Sequence, residues 1–393
     1  MKPTRSREIK IAVRGRVLKP NKRKILALNK TLNKYLGLVK WYLSFNSTSK
    51  SFLHKHCYRK AKELFNLNPA LTQTARDKAV EILKSFKRAQ KQARVAKPTV
   101  KQISIRFDQR VFSFAKTHNS LTPYWLTIRL DKRISLPIKF GRRQQSFIEE
   151  ALQGRWKFCV VELVKRSGEW YAHFVLKREA EFKQPETIIG LDLGEWNIAT
   201  AVAVSPHDSK PMKGRFWSGA EIRKIRGKYG HIRRSLQKKK ALKHIKRIGQ
   251  RESRKVNQII HTVAKEIVEY AREFKNPIIV MEELTGIRQR MRSSRKLNRR
   301  LHAWPFRKLQ EYIEYKANLA EIAVRFIKPK NTSKRCHRCG HVAHVDGREF
   351  RCPKCGLVYN RDLNAAINIA HVLMRGMGWG SSGSPELPDE VLM

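Results

Sequence analysis

Four cysteines in the last fifth of the sequence form two C-x2-C pairs, Cys336 with Cys339 and Cys352 with Cys355. Each such turn aims two sulfurs at one point, so four thiolates at this spacing suit one tetrahedral Zn2+. Gly340 and Gly356 follow the second cysteine of each pair, where the turn needs a positive φ. Disulfides are the alternative. Tight pairs behind an N-terminus, MKPTRSREIK, that lacks the apolar run of a secretory signal speak against them. His337, His341 and His344 could compete as ligands, and the spacing favours the all-cysteine set. Cys57 and Cys159 are left over and read as buried thiols in a reducing compartment.

Three carboxylates also stand where chemistry is possible. Asp192 lies inside the apolar run IIGLDLG, where an ionised carboxylate is costly unless a metal or a cation compensates it. Glu282 and Glu283 close the run IIVMEELTG. Side chains alternate along a strand, so only one of these neighbours can face the same way as Asp192; a solvated strand end is the structural reading for either. Asp362 precedes LNAAINIA, where an aspartate also serves as a helix N-cap.

The elements that must position these groups follow from periodicity. Residues 7–17 alternate as a strand, and 22–95 turn helical, with Leu28, Leu32, Tyr35 and Trp41 in one run and Ala79, Ile82, Leu83 and Phe86 in a second. Between 100 and 182, six short runs from VKQISIRF to WYAHFVLKR read as strands at roughly ten-residue spacing, the pattern of a barrel or sandwich that the first strand would join. Most of the interleaved aromatics there (Phe107, Phe112, Phe114, Tyr124, Trp125, Trp156, Trp170, Tyr171) belong to a core, with a minority available to stack on bases. From 188 the pattern is strand (IIGLDLG), strand (NIATAVAV), a third strand at 214–219, a basic helical region, a core-facing helix at 256–274, strand (278–286), helix (304–323, with Pro305 in its first turn) and strand (324–329). The cysteine pairs and the helix opened by Asp362 come next. The tail beyond 375 is rich in Gly, Ser and Pro and reads as disordered.

Charge narrows the partners. Of 393 residues, 85 are Lys or Arg and 32 Asp or Glu, a net +53. Such an excess repels itself in a compact chain unless a polyanion neutralises it, and nucleic acid is the natural one. A membrane surface is the rival. No run approaches a spanning length, and no helix pairs a basic face with a Trp/Phe-rich one. Residues 210–255 carry 18 Lys and Arg against two acids, Glu221 and Glu252; Lys238, Lys239 and Lys240 are candidate backbone contacts within them.

Together, strand-Asp, helix, strand-Glu, helix, strand and helix-Asp follow the order of an RNase H-like core, whose carboxylates converge on two divalent metals for phosphodiester cleavage. Oxygen ligands point to Mg2+. At this point the chain resembles the TnpB family of transposon-encoded RNA-guided nucleases and its relatives, the compact type V CRISPR effectors. The matching stretches are GLDLG with Asp192, IVMEEL with Glu282, the four cysteines with their approach KPKNTSKRC, and NRDLNAAINIA with Asp362. The N-terminal half is similar only in organisation. The resemblance favours Glu282 over Glu283. It also notes Asn360 where many relatives carry an acid, which leaves Asp362 as the site residue.

The resemblance implies an α+β multidomain fold. A wedge-like β-barrel (1–21 and 100–184) is split by a helical recognition insert (22–99). A RuvC-like α/β nuclease domain follows (185–375), carrying a zinc ribbon (331–359), and then a disordered tail (376–393). It further implies one structural Zn2+, two catalytic Mg2+, a guide RNA, a double-stranded target DNA cut beside a short flanking motif, and a place in the prokaryotic cytoplasm near the nucleoid. The alternatives are a catalytically silent RNA-guided repressor, a compact CRISPR effector, and a basic zinc-ribbon protein with no guide.

Overall fold

Alternation in the first stretch of chain produces β1 (Arg5–Val17), which buries Ile9, Val13 and Val17 on one side. This is a computed structural model, and it describes residues 5–90, 100–284, 304–328, 331–344 and 347–377. The chain divides into two compact units, residues 8–179 and residues from 180 onward together with 1–7. The expected tail lies outside the described residues, apart from the end of its last helix.

In the first unit the single helical block predicted after β1 is three helices, α1 (Lys22–Ser44), α2 (Lys50–Phe65) and α3 (Pro69–Gln90). Asn21 caps α1 by accepting from Lys24 N at 2.9 Å, and Asn66 ends α2 in the left-handed conformation. Six strands follow in the places expected: β2 (Ile105–Asp108), β3 (Phe112–Lys116), β4 (Tyr124–Arg129), β5 (Arg133–Lys139), β6 (Lys157–Arg166) and β7 (Glu169–Phe182). A helix that the sequence reading lacked, α4 (Arg142–Leu152), interrupts them. It buries only Ile148 and Ala151, too few apolar positions to announce a period.

The seven strands run in the order β2-β6-β7-β1-β5-β4-β3. β1 joins this sheet as expected. Among the described residues the pairings run from β2 to β3 and show no closed barrel. The helical block packs on this sheet. Thr74 on α3 donates to Arg106 O at 2.9 Å, and Lys78 pairs with Glu162 at 3.0 Å, so the helices and the sheet form one unit. Phe107, Tyr124, Trp156 and Trp170 are buried in its core.

The second unit is built on a five-stranded sheet: β8 (Thr187–Asp192), β9 (Asn197–Val204), β10 (Pro211–Ser218), β11 (Pro277–Glu282) and β12 (Ala323–Ile327), in the order β10-β9-β8-β11-β12. The first three are antiparallel; β8, β11 and β12 are parallel. Among the described residues four helices complete it: α5 (Ala220–Lys238), α6 (Leu242–Ala271), α7 (Phe306–Leu319) and α8 (Arg361–Gly376). The sequence reading split α6 into a basic region and a core-facing helix. It is one helix whose second half carries the apolar face. Pro305 stands at the N-cap of α7, one position before the first turn.

The sheet is covered on both faces. Ile189, Leu191, Ile279 and Met281 pack with α6 and α7. Ile188, Val202, Ile278 and Val280 pack with Ala366, Ile367, Ile369 and Ala370 of α8. Gly190 permits that second contact. A Cβ there would lie 2.0 Å from Ala366 O, so the helix backbone rests directly on β8. Among the described residues no helix is long and apolar enough to cross a membrane.

Candidate active site

Strand alternation decides which way the carboxylates face. Ile188 and Gly190 point to the α8 side of the sheet, so Asp192 does as well; Ile278 and Val280 do the same for Glu282. Parallel register sets Met281 opposite Leu191, which brings Glu282 level with Asp192 at the ends of neighbouring strands. Glu283 is the next residue along, is exposed, and its N–H donates to Ile327 O at 2.7 Å. Asp362 enters the same side from the first turn of α8. The cap of that helix is Asn360, whose side chain accepts from Asp362 N at 3.0 Å and Leu363 N at 3.1 Å. Asp362 is thereby freed from the capping role that the sequence left open to it.

Two residues hold the Asp362 carboxylate. Asn197, the first residue of β9, donates Nδ2 to Oδ2 at 2.8 Å, and Arg348 approaches the same oxygen at 3.2 Å. Glu282 accepts a short hydrogen bond from the Thr332 hydroxyl, and its carbonyl accepts from Gln310 Nε2 at 2.7 Å. Asp192 and Glu282, with Asn331, Thr332, Ser333 and Lys334, line a cleft of about 240 Å3; Asp362 stands outside that lining. Electrostatics tie the three acids together. Burial, then the charges of Glu282 and Asp362, push Asp192 up to about 7. Burial also raises Glu282, against the pull of the Thr332 hydroxyl.

The Thr332 segment is pinned to α8 by two buried asparagines one turn apart. Asn364 Oδ1 accepts from His337 N at 3.1 Å, and its Nδ2 donates to Arg335 O at 2.8 Å. Asn368 Nδ2 donates to Thr332 O at 2.9 Å and Arg335 O at 2.6 Å. The helix that supplies Asp362 thus also places the loop that touches Glu282.

Beyond the loop lie the cysteines. One ligand atom from each of Cys336, Cys339, Cys352 and Cys355 falls within 4.8 Å of all the others, a cluster able to hold a metal ion. Their sulfurs are free, with Cys336 and Cys355 3.7 Å apart and Cys339 and Cys352 3.5 Å apart. Both knuckles close alike: Gly340 N donates to Cys336 O at 2.9 Å and Gly356 N to Cys352 O at 3.0 Å, each glycine at positive φ. His337 turns its ring to Asn364 instead of the sulfurs, with 2.9 Å between Nδ1 and Oδ1. His341 and His344 are exposed and outside the cluster. Strand β13 (Glu349–Arg351) pairs with β14 (Val358–Asn360), and β14 runs straight into α8.

The lysines 238–240 lie elsewhere, exposed at the tight turn between α5 and α6, with Lys240 at a φ of 53°. The sequence reading missed Asn197, Arg348, Asn364, Asn368 and the exposed Trp196. Only the two asparagines left a signal: polar residues four apart inside an apolar helical run.

Residues 306–369 match the family model "Cas12f1-like, TNB domain". The TnpB-like protein MJ0751 of Methanocaldococcus jannaschii is 31% identical over 263 residues, covering 65% of this chain and 91% of that protein. A TnpB-like protein of Aquifex aeolicus is 30% identical over 241 residues, 54% of this chain and 79% of that one. The CRISPR-associated endodeoxyribonuclease Cas12f1 of Sulfoacidibacillus thermotolerans is 28% identical over 264 residues, 62% of this chain and 60% of that protein. Among solved structures, Cas12f1 in a complex with sgRNA and target DNA superposes with a TM-score of 0.69 at 21% identity, over 88% of this chain and 83% of that one. The mixed α/β architecture described above is therefore shared with that Cas12f1 structure. With 91% of the Methanocaldococcus protein matched at 31% identity, the chain belongs to the TnpB family.

Proposed function

We propose that this protein is an RNA-guided DNA endonuclease that cleaves phosphodiesters with a pair of Mg2+ ions held by Asp192, Glu282 and Asp362. The observation that carries the reading is the convergence of three acids from β8, β11 and α8 on one side of the sheet, with Asp192 pushed up to about 7. Burial and two acidic neighbours outweigh the one nearby cation, Arg361, and divalent cations would supply the missing compensation. All donors are hard oxygens, which suits Mg2+. When bound, the metal supplies Lewis-acid activation of water and stabilisation of the leaving oxygen.

The chain's own residues do the rest. Asn197 fixes the orientation of the Asp362 carboxylate, and Thr332 that of Glu282. Arg348 brings a positive charge to the point where a phosphate would approach Asp362. The second metal is one Zn2+ on the four cysteines. A ZnS4 tetrahedron with bonds near 2.3 Å has edges of about 3.8 Å, close to the 3.7 and 3.5 Å found between the paired sulfurs. Its role is structural, since it binds β13 and β14 into a body that delivers α8 and the Thr332 loop.

Guide and target follow from charge and kinship. A net +53 suits a protein that holds an RNA and both strands of a DNA duplex, and a Cas12f1 of the same fold has been solved in a complex with sgRNA and target DNA. In this reading base pairing supplies sequence choice, while residues 8–179 act as the wedge and recognition parts that read duplex shape and a short flanking motif. The test is to sequence the RNA that co-purifies with the protein and to supply a duplex matched to it. The expected result is one defined RNA and cutting of the matched duplex in Mg2+. A protein that purifies without a defined RNA, and leaves every duplex intact, would contradict the proposal.

A further inference from the structure

Trp196 is 57% exposed, and among the described residues it is the tryptophan most open to solvent. Its backbone is fastened. The Trp196 carbonyl accepts from Gly219 N at 2.7 Å and from the Arg223 guanidinium at 2.9 Å, and Arg223 also donates to Glu195 O at 2.6 Å. Gly219 belongs to this clamp, for a Cβ there would lie 2.3 Å from Glu195 O. Two guanidiniums lie over the indole, Arg223 at 4.4 Å and Arg348 at 5.0 Å from its centroid. Arg348 is the residue that also meets Asp362 at 3.2 Å. The indole is therefore one side chain away from the Asp362 carboxylate, on the short turn that follows Asp192.

A lone exposed tryptophan needs no explanation in itself. One fastened by three backbone-directed hydrogen bonds, flanked by two cations and set beside the proposed metal-binding acids has the parts of a single-strand contact: a π face for a base and positive charge for its phosphate. We propose that Trp196 is the stacking platform for a base of the DNA strand next to the bond being cut, with Arg223 and Arg348 neutralising the phosphates on either side. The inference rests on the nuclease reading for the identity of the strand, yet the contact itself is measurable without cutting. Stacking tolerates any base, so the platform adds affinity and register but no sequence choice, which is what a guided enzyme requires.

The experiment is photocrosslinking of the full-length chain to a single-stranded oligodeoxynucleotide carrying 5-iodouracil. Ca2+ replaces Mg2+ to keep the strand intact, and salt is raised to suppress diffuse phosphate binding. Mass spectrometry then identifies the modified residue. A principal adduct on Trp196 is expected. Trp196→Leu should lose it and bind the oligonucleotide about tenfold more weakly, and Trp196→Phe, which keeps a ring, should recover most of the affinity. A wild-type adduct confined to other residues would overturn the platform, as would equal affinity of the Leu variant. If Trp196→Leu fails to fold, the wild-type adduct still decides. Failure of Mg2+-dependent cutting would remove the nuclease reading and leave this result standing.

Discussion

Asp192 shows most clearly how single residues carry the site. Its acid is lifted from 3.8 to about 7 by burial and by Glu282 and Asp362. An acid raised on folding stabilises the fold only while protonated. Its contribution is whole below 3.8 and is lost as the pH climbs to about 7. In EDTA the melting temperature of the wild type should fall relative to that of Asp192→Asn across that window. Mg2+ competes with the proton for the same oxygens, so the gain in melting temperature on adding Mg2+ should grow over the same window and level off above it. Parallel pH profiles for the two proteins would contradict a raised acid. The carboxylates were legible in the sequence because an acid inside or ending an apolar strand is expensive. Asn197, Arg348 and Trp196 were not, because each acquires its role from a contact that only the folded chain makes; Asn197 meets Asp362 across 165 positions. Asp362 was ambiguous for a local reason. A cap and a candidate site residue stand two positions apart, and the contact of Asn360 with two backbone N–H groups assigns the cap to Asn360.

Among the elements, α8 is where the parts meet. It lies on β8 through Gly190, carries Asp362 at its start, and pins residues 332–337 through Asn364 and Asn368. The ribbon that leads into it has a small core, Phe350 and Leu357 with the cysteines, too little apolar area to hold a fold without its metal. Binding free energy is folding free energy in such a segment. Cys336→Ser combined with Cys352→Ser should therefore release the zinc and lower the melting temperature, and with α8 loosened, cutting should fall as well. Zinc content by atomic absorption checks it: one ion per wild-type chain and almost none in the double variant. Full zinc in that variant would mean another ligand set. Elements with a clean period were readable, as with the strands of both sheets and the second half of α6. The whole of α4 was not, since it buries only two apolar positions, and neither was the continuity of the basic helical stretch with the rest of α6, since charged residues show no apolar face to follow. Closure of the seven strands into a barrel was not legible, because strand spacing gives the number of strands and says nothing of whether the first pairs with the last.

At the scale of the molecule, the dominant fact is charge. With +53 spread over 393 residues, nucleic-acid binding should be driven by release of counterions, and affinity should drop by roughly 10^3 to 10^5 between low and physiological salt. Replacing Lys238, Lys239 and Lys240 with alanine should flatten that salt dependence without altering which sequence is cut, because backbone contacts carry no sequence information. A change of target in that variant, or an affinity indifferent to salt, would tell against this picture. The central claim is that three acids on one side of the sheet cut DNA through bound metal, and one cleavage assay tests it. A linear duplex matched to the co-purifying RNA is incubated in Mg2+ or EDTA with the wild type, Asp192→Asn and Glu283→Gln. The wild type and Glu283→Gln should cut in Mg2+ and be silent in EDTA. Asp192→Asn should still bind the duplex but lose several kcal/mol of transition-state stabilisation, roughly a thousandfold or more in rate. An Asp192→Asn protein that cuts at the wild-type rate would contradict the account.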